Sequence, residues 1–526
     1  MRTRAELRAA VRPYTWALAG GGVVAALGLA RVAIIALGPS DQYVAAVPDD
    51  AFYYLQLARN MAEQGRWTFD GTAPTTGFHP LYAYLLVALE RVAGDLDART
   101  LLVVVGTAAA LSLGGAAALT GVTSTRLLGR ATVPLVVAVF TTPLALMHAT
   151  YLMESWLALF LAAATVAAVS ARAPAGLPAL LGVCALGALG SLARSDFGVL
   201  PLALVIAGAA SRPLTGHGPW IARSVAAVGG AVLGLGLVTL QAYAISGELV
   251  QASVRVKAYW ADAIGQSTPA GVLELPFSSF TTTISPVLSK LPGDGLLVLG
   301  FASLVLLVLL RRVRRDELPP TSFTLALGCV IAVAGYLLVY SHNADIQFWY
   351  TASFMVPAAL LLAGLGRGLI GDERLLRPAV MVAAVYIAFG IAFLPAAPWP
   401  NQLPTHAAAL ALRTADLDGP VGAWNAGVLA YFSGREVVNL DGLVNDDVVP
   451  YVVSDRLADY VDARGIRYIV DYRYMVELPR TLLRGGYSDG RLVGCLSAPT
   501  RTFEHPDVPD LQTVEIRPVE PRCLAR

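Results

Sequence analysis

Along this chain, apolar residues run in windows long enough to cross a bilayer, broken only by short polar turns. The windows fall near 15–38, 100–122, 131–150, 154–171, 176–193, 197–211, 222–245, 293–311, 321–340, 350–368 and 377–396. The pattern predicts a polytopic α-helical membrane protein with about eleven transmembrane helices. One further apolar stretch, HPLYAYLLVALERVAG at 79–94, fits either a crossing or a surface helix. Arginine placement decides it. Arg2, Arg4, Arg8 and Arg12 put the N-terminus in the cytoplasm. If 79–94 does not cross, the arginines at 126, 130, 172, 212 and 223 and the runs RRVRRDE (311–317) and GRGLIGDERLLR (366–377) all fall inside. If it crosses, they all fall outside. The stretch is therefore read as a helix lying in the outer leaflet.

Eleven crossings that start inside end outside. The loop 39–99, the loop 246–292 and residues 397–526 then share the outer face, giving a transmembrane domain over 1–396 and an extracytoplasmic domain over 397–526. The boundary is the Pro-rich FLPAAPWPNQLP. Beyond it the strand-like runs EVVNLDGLV, IRYIVDY, RLVGCLS and QTVEIRPV alternate with a helical stretch near 453–464, which reads as a small α/β domain.

Composition agrees: 56% hydrophobic and 14% charged residues are far from the balance of a soluble protein. The basic start and first apolar run are too long for a signal-peptide core and read as an uncleaved span. A net charge of +1 with no basic stripe excludes a nucleic-acid partner. Only Lys257 and Lys290 are lysines among 38 cationic side chains, so each lysine stands out. Cys184 and Cys329 lie in apolar runs as core residues. Cys495 and Cys523 are a disulfide or two free thiols, depending on compartment. No Walker loop, dinucleotide fingerprint or zinc-type Cys/His spacing occurs. Nothing in the pattern sets an oligomeric state.

The chemistry concentrates in VPDDAFYYLQLARNMAEQG, residues 47–65. From Phe52 onward the spacing is helical, with Gln56, Arg59, Asn60 and Glu63 on one face, Tyr54, Leu57, Ala58 and Met61 on the other, and Gly65 as a stop. That predicts an interfacial amphipathic helix with Asp49 and Asp50 at its start. An Asp there caps the helix. One carboxylate suffices for a cap, so a second one beside it points to another task.

The next stretch, GRWTFDGTAPTTGFHPLYAYLL, follows the acid pair and helix with a Gly/Pro/Thr-rich turn and a histidine before Pro-Leu. This arrangement resembles the first outer loop of GT-C glycosyltransferases, the superfamily that includes protein O-mannosyltransferases and the aminoarabinose transferases of lipid A. It is most similar to a bacterial branch whose loop reads DDAYYYL, ARN, TFDG and PTNGFHPL. Thr76 stands where that branch has Asn, which weakens a role for that side chain. Later segments resemble the branch more loosely: YLMESWLALF with Leu152 for a Gly, GSLARSDFGVL with Phe197 before Gly198, SGELVQASVRVKAYW, and VGAWNAGVLAYFSGREVVNLDGLVN at 421–445.

The resemblance implies the GT-C fold and an inverting transferase that takes a sugar from a polyprenyl phosphate outside the cytoplasm. Such a reaction needs a base for the acceptor hydroxyl and cations for the departing phosphate. Asp49 matches the first acid and is the expected base; Asp50 orients it, binds sugar, or helps to hold a divalent cation (Mg, Mn or Ca). For the phosphate the candidates are His79, Lys257, Arg255 and Arg194. His79 reads equally as an anchor of its helix, and Lys257 and Arg255 as contacts to lipid headgroups. Arg194 would cost about 2.5–3.5 kcal/mol unpaired in a membrane and expects Asp196 or Glu154 as partner, or the phosphate. Glu154 (sugar ligand or helix cap), His342, Asn439 and Asp441 are candidates for sugar or acceptor binding. Gln347, Trp349 and Tyr350 read first as an aromatic belt, and Asn439 and Asp441 also as a strand-ending turn. The expected partners are a polyprenyl-phosphate sugar, such as mannose or arabinose, membrane lipids, and a glycan, lipid or protein acceptor of a bacterial cell envelope, at the plasma membrane. The alternative is a carrier or flippase for a lipid-linked glycan, which would place ionisable residues mid-span along a path.

Overall fold

The computed structural model describes residues 12–94, 96–171, 174–215, 218–263, 320–340, 347–477, 489–520 and 523. Among these, six helices are long and apolar enough to span a bilayer: Thr15–Leu37, Ala98–Leu128, Gly218–Ser246, Thr321–Tyr340, Phe348–Ile370 and Arg374–Ala392. Shorter apolar helices, including Ser155–Val169 and Leu177–Ala193, pack among them. The chain is a multi-pass membrane protein. Hydrocarbon gives helices no hydrophobic reason to associate, so close backbone approach matters. A methyl at Gly21 would lie 2.5 Å from the Gly114 carbonyl, and one at Gly230 only 1.8 Å from that of Cys184.

The ends of the spans sort to two sides. Glu154, Arg194 and Tyr340 converge at one mouth, while Ser322 meets the Leu127 carbonyl at the other. Residues 131–150 run alongside the last span from one side to the other: Ala131 packs with Leu375 and Ala379, and Gly390 lies against the Thr141 carbonyl. They are not the continuous span expected. Val133–Phe140 stops, and Pro143–Met147 restarts under a Thr142 cap that accepts the Ala145 N–H, because Pro143 cannot donate to the preceding turn. The expected span 293–311 lies outside the described residues. Arg31, within the first span, is fully buried. It donates to Thr150 Oγ1 (3.0 Å) and to the carbonyls of Leu394 (2.8 Å) and Ala396 (2.9 Å), tying three segments at the same mouth.

Pro80–Ala93, at 14 residues, reaches only roughly 21 Å, short of a bilayer's apolar thickness. It packs beside Asp49–Gln64. The latter differs from the interfacial helix expected. Phe52, Leu55 and Leu57 are buried, and so is Asn60 of the supposed polar face, whose amide donates to the Thr68 and Phe69 carbonyls at 2.8 and 2.9 Å. The physical reason is that the first loop folds its own residues 68–69 over Asn60 while the C-terminal domain packs on Phe52 and Arg59, so the helix has no free polar side there. Gly65 ends it in the left-handed conformation, as its position predicts.

That domain contains a five-stranded sheet of β1 (Val421–Ala423), β2 (Val437–Asn439), β3 (Tyr468–Tyr472), β4 (Arg501–Phe503) and β5 (Val514–Pro518), in the order β2-β1-β3-β5-β4. The first three strands are parallel, with Val421 opposite both Val437 and Tyr468; β5 runs antiparallel to β3 and β4. Two local expectations are corrected. Residues 490–494 form a short helix started by Asp489, whose carboxylate accepts the Arg491 N–H, rather than a strand. The single helix near 453–464 is two, Val449–Val453 and Leu457–Ala463, parted at Asp455, whose φ is 57°. Cys495 and Cys523 form a disulfide.

Thr76 is the clasp between this domain and the first loop. Its N–H and hydroxyl both donate to Asp446 at 2.7 Å, and its hydroxyl accepts the Ala252 N–H at 2.9 Å. The departure from Asn therefore leaves the side chain with a structural role.

Candidate active site

Three parallel strands end facing the membrane domain, and the loops beyond their carboxyl ends carry Trp424 and Asn425 after β1, Asp441 and Leu443 after β2, and Tyr474 after β3. The carboxyl edge of a parallel sheet is where ligands bind in open α/β folds, because the loops there are free to diverge from the scaffold. Here those loops close a cavity of about 270 Å³ over the mouth of the helical bundle. Trp260, Trp349, Trp399 and Trp424 supply flat apolar walls, and Asp49, Asp50 and Asp441 supply its acids.

Asp49 does not cap its own helix; Pro48 occupies that place. Its carboxylate instead crosses to the C-terminal domain and accepts the N–H groups of Gly427 (3.1 Å) and Val428 (2.7 Å) at the start of helix Gly427–Ser433. A carboxylate offers about four lone-pair sites; with Tyr53 also bonded to it, acceptor capacity still remains on an acid that lines the cavity. Burial pushes its pKa up to about 7, against the pull of the Val428 and Gly427 amides, and the charge of Asp50 adds to the rise. Asp441 is 3% exposed and accepts the Leu443 N–H at 2.7 Å. Burial raises its carboxyl well above the ordinary range, with Asp50 and Asp49 adding. The chamber thus holds one acid poised near neutrality and a second whose charge burial disfavours.

A narrower compartment of about 60 Å³ adjoins the chamber, and Asp50, Tyr53, Lys257, Trp349 and Tyr350 line both. It brings together His79, Glu154, Arg194 and Lys257. Arg194 makes a two-pronged bond to Asp196 (3.1 Å each) and a third to Glu154 (2.8 Å), so both expected partners are present and its charge is largely answered. Glu154 holds Arg194 instead of capping its helix. Lys257 is different: its ammonium donates to the Tyr350 hydroxyl at 2.6 Å. Burial alone would lower its pKa, but Tyr350 and Asp50 outweigh that, so the amine stays charged. His79 is held neutral, since burial lowers its pKa more than Glu154, at 3.8 Å, raises it; its buried Nδ1 has no hydrogen-bond partner among the described residues.

Not every candidate converges. Arg255 faces a separate groove on the flank, with Glu248 and Asp446. Asn439 is fully buried, accepts the Gly442 N–H at 3.1 Å and braces the turn that presents Asp441. His342 lies outside the described residues. Trp349 and Tyr350 are buried and turned into the cavity rather than forming a lipid-facing belt. No cluster of three or more His, Cys, Asp or Glu side chains converges as metal ligands among the described residues. Sequence reasoning missed Tyr53, whose hydroxyl meets the Trp424 carbonyl and Ala426 N–H at 3.4 and 3.3 Å. It also missed Asp471, which fixes the β1 loop through the Trp424 N–H at 2.6 Å. The available signal was tryptophan in polar, Pro- or Asn-flanked segments (WPNQ, AWNAG), where a large ring has no span to bury it.

Comparison with known proteins places this geometry in a fold. A domain of unknown function matches residues 400–506, and no curated protein sequence matches the chain. Among solved structures, the oligosaccharyltransferase AglB from Archaeoglobus fulgidus, in complex with an inhibitory peptide and a dolichol-phosphate, is similar with TM-score 0.56 and 13% identity over 97% of this chain and 77% of that one. ArnT from Cupriavidus metallidurans, bound to undecaprenyl phosphate, is similar with TM-score 0.53 and 14% identity over 93% and 97%. The fold is GT-C.

Proposed function

We propose that the protein is an inverting glycosyltransferase that moves a sugar, such as mannose or arabinose, from a polyprenyl phosphate to a hydroxyl of a cell-envelope glycan, lipid or protein. The observation that supports this best is the shared wall: an acid chamber sized for a sugar ring opens beside a compartment that holds the Lys257 ammonium, with Asp50 and Lys257 lining both. The ArnT and AglB structures were solved with polyprenyl-type phosphates, which favours a lipid-phosphate donor here. In this reading the donor phosphate sits by Lys257, His79 and Arg194 and the sugar C1 lies at the doorway. The acceptor oxygen attacks C1 from the chamber side as its proton passes to Asp49. The C1–O bond to phosphate breaks, and its electron pair leaves on the phosphate, where Lys257 offsets the charge and His79 Nδ1, as the N–H tautomer, donates. Asp441, facing the chamber, hydrogen-bonds a sugar hydroxyl. The disulfide of the sheet domain favours an oxidising, extracytoplasmic side for this mouth of a bacterial plasma-membrane protein. The cavity residues gather at one mouth rather than along a path through the bundle, which favours the enzyme over a carrier.

The test is purified protein in lipid nanodiscs with a panel of polyprenyl-phosphate sugars. Binding and slow release of polyprenyl phosphate are expected, and Lys257→Met should weaken donor affinity by about 10- to 100-fold, the loss of one charge-assisted bond. No binding of any polyprenyl phosphate, or unchanged affinity in that variant, would overturn the assignment.

A further inference from the structure

On the flank of the C-terminal domain lies a second, larger cavity of about 460 Å³ that plays no part in the scheme above. Three separate stretches of chain build it: the first loop at Pro74, the segment 246–255, and residues 446–464. Its chemistry is balanced. Arg255 and Arg464 face Glu248, Asp446 and Asp447 within it, so the near-neutral lining gives a phosphate or other polyanion no net attraction. Tyr451 and Tyr460 pack with ring centroids 5.3 Å apart on one side. The ion pairs of Arg255 are long and single-pronged, 3.6 Å to Glu248 and 3.9 Å to Asp446, and its buried Nε has no hydrogen-bond partner among the described residues. Donors and acceptors beside the half-buried Tyr451 ring, with few aliphatic walls, suit a neutral polyhydroxylated ligand better than a peptide or a lipid tail. The groove also lies near the reaction site, at the far end of one short segment that the Thr76–Asp446 clasp holds in place. Asp441 and Leu443 line the chamber, Val444 the narrow compartment, and Asp446 and Asp447 the groove.

We propose that this groove binds the distal sugars of a neutral glycan acceptor whose terminal hydroxyl reaches the chamber, so that the acceptor is an oligosaccharide. The proposal rests on the transferase reading and narrows its acceptor class. The test uses the full chain in nanodiscs with mannose, arabinose and glucose oligosaccharides of one to four units. For the accepted series, KM should fall at least tenfold from one unit to four at constant kcat. Tyr451→Ala and the milder Asp447→Asn should raise KM for the tetrasaccharide at least fivefold, leaving kcat and the KM for the single sugar unchanged. A KM independent of length, or variants that leave it unchanged, would overturn the proposal while the transferase reading stood. Should no transfer occur with any donor, saturation-transfer NMR with the same tetrasaccharides decides: binding lost in Tyr451→Ala supports the groove, and no binding to the wild-type chain overturns it.

Discussion

Asp49→Asn is expected to lower kcat for sugar transfer by about 10²- to 10⁴-fold, the usual contribution of a positioned general base, while affinity for undecaprenyl phosphate stays within about twofold because Lys257 is untouched. The wild-type pH profile supplies the second half of the test. With its pKa raised to about 7, Asp49 is protonated and unable to accept a proton below that value and ionised above it, so kcat should rise with pH through about 7 and then level off. In the variant the residual rate should lose that rise. Asn brings a complication that the geometry makes explicit. Its carbonyl can still accept one of the Gly427 and Val428 amides, but its NH₂ would face the other, donor against donor, at a cost of about 1–3 kcal/mol in docking the domain. A variant that turned over at the wild-type rate, or kept the same rise in its residual rate, would place the base elsewhere.

That double duty shows what a sequence can and cannot reveal. The spans were legible because burial in lipid demands long apolar runs, and the adjacent acids were legible as one more than a cap requires. The partner of Asp49 was not, because it is a pair of backbone N–H groups 378 and 379 residues away, and a main-chain donor leaves no mark on residue identity. The Thr76 clasp to Asp446, across 370 residues, was hidden for a related reason: a short hydroxyl looks like any turn residue until its carboxylate arrives. Lys257 could be singled out by rarity alone, and the structure gives that rarity a place in the cavity. Arg255, two positions earlier, seemed its twin; the helix turn between them sends one to the narrow compartment and the other to the flank groove. Short strands such as Val421–Ala423 were missed because three residues carry no periodicity, and their parallel neighbours supply the pairing that defines them.

The contact that ties domain to acid can be broken without touching the acid. Gly427 lies so close to Asp49 that an added methyl would sit 2.2 Å from the Asp49 carbonyl oxygen and 3.0 Å from its carboxyl carbon. The first of these is main chain and cannot swing away, so Gly427→Ala must push helix Gly427–Ser433 off helix Asp49–Gln64 by about 1 Å, at an overpacking cost of about 1–3 kcal/mol. Reacting groups held by both partners lose their alignment with it, and a displacement of that size is worth about 10²-fold in rate. The expected result is a comparable fall in kcat with donor affinity nearly unchanged, since His79, Lys257 and Arg194 belong to other elements. Gly236→Ala is the matched control: its methyl meets nothing within 4 Å, so the rate should hold. The pair separates two accounts of Asp49. If the carboxylate serves as base, Gly427→Ala keeps the ionisation near pH 7 in its diminished profile while Asp49→Asn loses it. If the carboxylate serves only as a latch, the two variants share one phenotype and the ionisation persists in both.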